Sequence, residues 1–260
     1  MDYQKQYYEI KDFWDGVPDQ SDIERIKKIS ELIPTDVTSI LDVGCGNGIF
    51  VNFLNEQPRK YSRLHGVDRS LTALSFVKTE KSQASIENLP FDTNEFDLIT
   101  CLEVLEHLPQ LVFQQALSEL SRVSKKYIIV SVPNKQNLQY GQIYCPKCFT
   151  RFNPDLHLQS FKQKDLENLL DKYNFFCKYI EAFGDTENYI ALSKILQWRS
   201  KYQWLQNRAF FDKLCPIFGA TIPKRESTAK ENSKTFNKIL KKAWPKTYRK
   251  RWLLALYEKS

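Results

Sequence analysis

Between residues 39 and 183, short apolar runs alternate with segments of helical spacing, and this alternation constrains the fold more than any other feature. SILDVG (39–44), RLHGVD (63–68), FDLITC (96–101), YIIVSV (127–132) and FFCKYIEAF (175–183) read as strands, with a further short strand expected at Ala84–Ile86. Helices are expected between them: residues 47–57, with Ile49, Phe50, Phe53 and Leu54 on one face, then LTALSFVKTE, 110–124 and 162–173. An earlier helix covers 21–33, where Ile23, Ile26, Ile29 and Ile33 share a face, Ser21 or Asp22 can cap the start and Pro34 closes the end. Strands alternating with helices predict an α/β fold with a mostly parallel sheet and helices on both faces. WLLALYEK (252–259) reads as a last strand, separated from Phe183 by about 70 residues of basic, mainly helical sequence. The chain therefore divides into an N-terminal helical flap (1–35), a main domain (36–183 and 251–260) and a basic, mainly helical insertion (184–250) before the last strand.

Of the 260 residues, 42% are hydrophobic, enough for a sizeable core and too many for a disordered chain. No apolar run approaches the roughly 20 residues of a membrane span. The opening MDYQKQYYEI lacks the cationic start and apolar core of a secretory signal. Six cysteines in this length do not make a disulfide framework, so the expected setting is cytoplasmic and reduced. Charge is uneven. The net of +7 arises because residues 184–260 hold 17 Lys/Arg and 6 Asp/Glu, whereas the first 183 hold 21 and 25. A basic tail suits a polyanion, an anionic membrane surface or simple solvation.

Three of the eight glycines, Gly44, Gly46 and Gly48, stand in LDVGCGNG, at the turn from the first strand into a helix. Glycine there permits positive φ and close approach of backbone to a ligand. A dinucleotide fingerprint needs glycine at 49, which is Ile49, so a pyrophosphate is disfavoured. Asp68 ends the next strand, where an acid suits ribose hydroxyls, and Asp42 places a carboxylate where an ammonium group can pair with it. A ligand with a ribose and an amine but no phosphates matches these features.

LDVGCGNG, GVDRS and ENLPFDTNEFDLITCLEVLEHLP follow one another in an order that resembles the class I S-adenosylmethionine-dependent methyltransferases. The resemblance covers about 40 to 183 and implies a Rossmann-like, doubly wound sheet of seven strands. It implies that Gly44, Cys45 and Gly46 pass beneath the methionine part of S-adenosylmethionine, with Asp42 near its amino group. Asp68 would accept the ribose hydroxyls and Arg69 would flank the adenine. Ser85 stands where relatives often carry an acid, and the Ile86 N–H would reach the adenine ring. Cys101 and Leu102 would face the cofactor, although Cys101, like Cys45 and Cys177, also reads as a small core residue. Tyr7, Tyr8 and Trp14 fit a flap over the site or packing against the fold.

After the fourth strand the chain reads Glu103-Val-Leu-Glu106-His107. On a helix these acids and the histidine share a face. With His157 they make a candidate divalent-metal site, resembling the motif of small-RNA terminal-ribose 2′-O-methyltransferases and ubiquinone-pathway O-methyltransferases. Without metal, His107 is the candidate general base, with Glu106 beside it, or merely lines the pocket.

Cys145-Pro-Lys-Cys148 is a familiar zinc half-site, and Cys215 a third thiolate, with His157 or Asp155 left to complete a structural zinc tetrahedron. This resembles a bacterial branch of methyltransferases associated with cell-surface polysaccharides that carries CPxCG after the fifth strand. From Lys234 to Arg251 eight Lys/Arg occur without an acid, with Phe236, Ile239, Leu240, Ala243 and Trp244 on one helical stripe. Such a helix can lie on anionic lipid or dock on the domain. The expected activity is O-methylation of a small molecule, a sugar or a lipid-linked glycan. A metal-dependent RNA ribose methyltransferase and a non-catalytic binding module are the alternatives, and nucleic acid is the less favoured partner.

Overall fold

The computed structural model describes residues 8–138, 142–144, 151–153, 155–189 and 247–260. Their main sheet comprises β1 (Ser39–Val43), β2 (Arg63–Asp68), β3 (Glu80–Gln83), β4 (Phe96–Leu102), β5 (Ser124–Pro133), β6 (Phe175–Tyr189) and β7 (Thr247–Lys259). The spatial order is β3-β2-β1-β4-β5-β7-β6, with β7 alone reversed, antiparallel to both β5 and β6. This is the seven-stranded, mostly parallel sheet expected. The chain steps outward from β1 on one side and from β4 on the other. A crevice therefore opens beyond the carboxyl ends of these two strands, the usual ligand position in such sheets.

The helices α1 (Gln20–Glu31), α2 (Ile49–Glu56), α3 (Leu71–Leu74), α4 (Gln110–Val123) and α5 (Gln163–Glu167) cover both faces. Ile26 and Ile29 of α1 and Phe50 and Leu54 of α2 pack with Ile40, Leu98, Ile129 and Leu254 on one face. Phe113, Leu117 and Leu120 of α4 and Leu166 of α5 pack with Leu41, Ile99, Ile128 and Leu253 on the other. Neighbouring strand residues thus go to opposite layers, as the pleat requires. Strands buried on both faces read as unbroken apolar runs for this reason.

Several expectations change. The cap of α1 is Asp19, in a reciprocal capping box with Asp22. The helix after β2 stops at Leu74, so that Val77 turns into a cluster with Cys45, Val51 and Leu74. The third strand is Glu80–Gln83 rather than Ala84–Ile86, because this edge strand pairs through its backbone while its side chains face water. The segment 162–173 splits into α5 and a 3-10 turn at Asp171–Tyr173. Residues 184–189 and 247–250, placed in the insertion by sequence, extend β6 and β7 as a paired arm. Residues 190–246 lie outside the described set, and with them Cys215 and the apolar stripe from Phe236 to Trp244. No helix among the described residues is long and apolar enough to cross a membrane.

Candidate functional site

A cavity of about 890 Å³ opens over the carboxyl ends of β1, β2 and β4, within the range of small-molecule pockets. Its floor is the turn after β1, where Gly44, Gly46 and Gly48 take φ values of +73°, +54° and +76°. The Gly44 and Cys45 amides bond the Val67 carbonyl (2.8 and 3.1 Å), which folds the turn against β2. A Cβ on Gly46 would stand 2.7 Å from the Trp14 ring, so glycine is required there by both φ and space.

Asp42 is buried next to this turn and accepts a 2.6 Å hydrogen bond from Thr100 Oγ1. Burial raises its pKa to about 7, with Asp68 adding repulsion against the favourable Thr100 bond and Arg25 charge. Asp68, at the end of β2, accepts from the amides of Gly46 (2.9 Å) and Ser70 (2.8 Å), while burial pushes its pKa upward. Cys45, Arg69, Ser85, Ile86 and Leu102 line the same cavity. Cys101 does not: its side chain is fully buried in the sheet core, because β4 turns alternate residues away from the crevice.

Residues 8–18 form one wall. The Tyr8 carbonyl accepts from Ser70 Oγ (2.8 Å) and Trp14 Nε1 (2.5 Å), and Asn47 Nδ2 donates to the Trp14 carbonyl (2.9 Å). Glu9 caps the start of α3 through the Leu71 and Thr72 amides (3.1 and 3.0 Å). Trp14 therefore sits over Gly46, with the Tyr8 ring 6.0 Å from its own. Tyr7 lies outside the described residues.

The segment after β4 departs from the helix expected. Glu103 has φ +57° and only a 3-10 turn, Leu105–His107, follows. Glu103 consequently leaves the Glu106–His107 face and accepts from Ser131 Oγ at 2.9 Å. Candidate ligand atoms of Glu106, His107 and His157 lie within 4.8 Å of one another. Both carboxylate oxygens of Glu106 are buried without a hydrogen-bond partner. Burial first, and then the charge of Glu103, push its pKa well up. His107 faces the cavity, with Nδ1 3.2 Å from the Tyr8 hydroxyl and its ring 4.5 Å from that of His157. Burial lowers the His107 pKa to about 3, aided by His157 and opposed by a Leu156 backbone bond and Asp155. His157 Nδ1 is bonded to Gln136. Asp155 also lines the cavity.

The zinc expectation cannot be placed in this way. Cys145, Cys148 and Cys215 lie outside the described residues, while His157 is drawn to His107. The Ile143–Tyr144 and Arg151–Phe152 ladder brackets the Cys145–Cys148 segment. Sequence reasoning missed Arg25, Arg249, Arg251 and Trp252, which line the same cavity. The alternation in TYRKRW was the available signal for the last three.

A sequence profile described as a methyltransferase domain matches residues 41–129, from β1 into β5. An uncharacterized protein of Methanocaldococcus jannaschii is 31% identical over 163 residues, covering 61% of this chain and 67% of its own. A ubiquinone biosynthesis O-methyltransferase of Coxiella burnetii is 36% identical over 95 residues, covering 33% of this chain and 39% of its own. The chain thus spans only about two fifths of that enzyme's length. In fold, a SAM-dependent methyltransferase from Archaeoglobus fulgidus superimposes with a TM-score of 0.53 at 16% identity, over 99% of this chain and 98% of that one. The seven-stranded sheet, the glycine turn and the acids at the ends of β1 and β2 stand together around the matched segment, so the chain carries an S-adenosylmethionine-dependent methyltransferase domain with the class I fold.

Proposed function

We propose that the chain methylates a hydroxyl of a small-molecule acceptor, with His107 receiving the hydroxyl proton. The observation that carries this reading is the position of His107 on the wall of the cavity that also holds Asp42, Gly44, Gly46 and Asp68. The residues fit the cofactor: a turn that excludes Cβ atoms, beside two buried acids at the ends of adjacent strands. Asp42 would pair with the ammonium group. Gly44, Cys45 and Gly46 would lie under the methionine part, and Asp68 would accept from the ribose hydroxyls. Arg69, Ser85, Ile86 and Leu102 would border the adenine side. When bound, S-adenosylmethionine supplies an electrophilic methyl group. The chain's own contribution is to position the acceptor and move its proton. His107 is neutral at physiological pH but burial, which lowers its pKa to about 3, makes it a weak base in the free chain, and the His157 ring lies beside it. Likeness to a ubiquinone biosynthesis O-methyltransferase over a third of the chain supports a hydroxylated small molecule.

A second reading of the proton step is favoured by Glu106. A buried carboxylate with neither oxygen bonded is costly unless something pairs with it. Glu106, His107 and His157 would hold a divalent ion, which lowers the pKa of a hydroxyl. The glycan reading rests on the Cys145–Cys148 segment and Cys215, outside the described set, the membrane-surface reading on 234–251, mostly outside it, and the RNA reading on that basic tail together with the acid–histidine cluster.

The test is methyl transfer from labelled S-adenosylmethionine to a catechol, with and without chelator. His107→Ala is expected to lose on the order of 10²–10⁴ in turnover while keeping its affinity for S-adenosylhomocysteine. Wild-type activity indifferent to chelator selects the histidine base, and activity abolished by chelator selects the cation. A fully active His107→Ala variant rejects both.

A further inference from the structure

Thr100 stands inside FDLITCL, the apolar run of β4, and is fully buried. β4 lies parallel to β1, and their register sets Thr100 directly against Asp42. Cross-strand partners project to the same face of a sheet, so the two side chains meet. Thr100 Oγ1 donates to Asp42 Oδ1 at 2.6 Å. The donor is a β-branched side chain with few χ1 options. Its acceptor is a carboxyl group that is 3% exposed and lines the cavity. Valine has the shape of threonine and would fill the same space, so packing alone does not call for the hydroxyl.

The ionised form of Asp42 is costly where it stands. Burial disfavours it, Asp68 on β2 repels it, and Arg25 on α1 favours it. Cys45 in the glycine turn and Cys101 on β4, the other titratable groups that feel Asp42, are held as neutral thiols by burial. A hydroxyl that donates to a carboxylate favours its charged form, and such charge-assisted bonds are the stronger kind. The Thr100 bond also fixes one carboxylate oxygen and leaves the other for a ligand.

On the cofactor-binding reading of this cavity, we infer that Thr100 is a positioning residue of the cofactor site, its hydroxyl holding the Asp42 carboxylate in place to pair with the ammonium group of S-adenosylmethionine. Thr100 acts through Asp42 and does not itself touch the cofactor. Its influence is therefore confined to the amino-acid end of the ligand. The adenine and ribose end, held at Asp68 and beyond, does not depend on it.

The experiment is calorimetric titration of the full chain between pH 6 and 8.5 with two ligands. S-adenosylhomocysteine carries the ammonium group, and 5′-methylthioadenosine keeps the adenine and ribose but lacks it. Thr100→Val removes the donor and keeps the shape, whereas Thr100→Ser keeps the donor. A hydrogen bond to a charged group is worth about tenfold or more, so its loss should move the pH at which Asp42 ionises from about 7 to about 8. Thr100→Val is therefore expected to bind S-adenosylhomocysteine about tenfold more weakly than the wild type at pH 6 and within about twofold of it at pH 8.5. Its affinity for 5′-methylthioadenosine should be unchanged, and Thr100→Ser should recover most of the loss. Thr100→Ala, which also lacks the donor, must show the same pH-dependent deficit. Added to Asp42→Asn, Thr100→Val should cost no further affinity. A deficit equal at both ends of the pH range, a loss shared by 5′-methylthioadenosine, or a wild-type profile in Thr100→Val overturns the inference while the cofactor reading stands. Failure of the wild type to bind S-adenosylhomocysteine rejects the cofactor reading and the inference with it.

Discussion

Asp42 is an acid that burial holds at a pKa of about 7, with Asp68 repelling its charge and only Thr100 and Arg25 favouring it. A carboxyl with a raised folded pKa binds more protons in the folded than in the unfolded chain. Its stabilising effect is therefore complete at low pH and is lost as pH rises from about 4 to about 7, at about 1.4 kcal/mol per unit. A ligand that brings an ammonium group needs the ionised form. The dissociation constant of S-adenosylhomocysteine should accordingly weaken as pH falls below about 7, approaching tenfold per unit, and Asp42→Asn should flatten that profile. His107, at about 3, is silent in this window. Calorimetry between pH 5.5 and 8 measures the effect, and a flat wild-type profile removes Asp42 from the amino-group site. Glu106 follows the same sign, its carboxyl being raised by burial and then by Glu103. Without added metal, Glu106→Gln should melt at or above the wild type at pH 8, because the amide cannot ionise in the core. A lower melting temperature would show that the carboxylate has a stabilising partner.

At the scale of elements, the arm formed by the outer halves of β6 and β7 hinges on Gly184. Its φ is +83°, the register shifts between Phe183 and Thr186, and a Cβ there would stand 2.3 Å from the Trp252 ring. Gly184→Ala should cost about 1–3 kcal/mol, displace the indole and lower the melting temperature. An unchanged melt would mean that Trp252 moves freely. The arm also marks where the sequence ceased to be readable. β1, β4 and β5 were evident because buried, mainly apolar side chains fill them on both sides. GDTENY and TYRKR continue the ladder beyond the apolar part of their strands, so their polar letters resembled a tail. EKSQ failed as a strand signal for the same reason. The glycine turn was evident because positive φ is a local demand. Glu103, Glu106 and His107 were found as a group, yet the helix meant to unite them is absent, since Glu103 itself takes positive φ. Arg249 and Arg251 were counted as tail charge, because only the reversal of β7 brings them to the crevice.

For the whole molecule, the two ends of the described chain close one cavity. Arg251 Nη1 bonds Ser21 Oγ at 3.2 Å, Arg25 and Arg251 lie 5.6 and 4.6 Å from the Trp252 ring, and Trp14 lies over Gly46. A ligand filling this space touches segments more than 200 residues apart in sequence, so its binding energy should appear in both. A ligand that binds only the folded state at a hundred times its dissociation constant stabilises it by about 2.7 kcal/mol, and local opening at the site should be suppressed accordingly. Residues 8–18 hold few buried side chains and should exchange their amides readily in the free protein. Saturation with S-adenosylhomocysteine is therefore expected to slow hydrogen exchange in 8–18 and 44–48. Mass-resolved exchange reads both segments in one series. Protection confined to 44–48 would mean that the flap does not close on the cofactor.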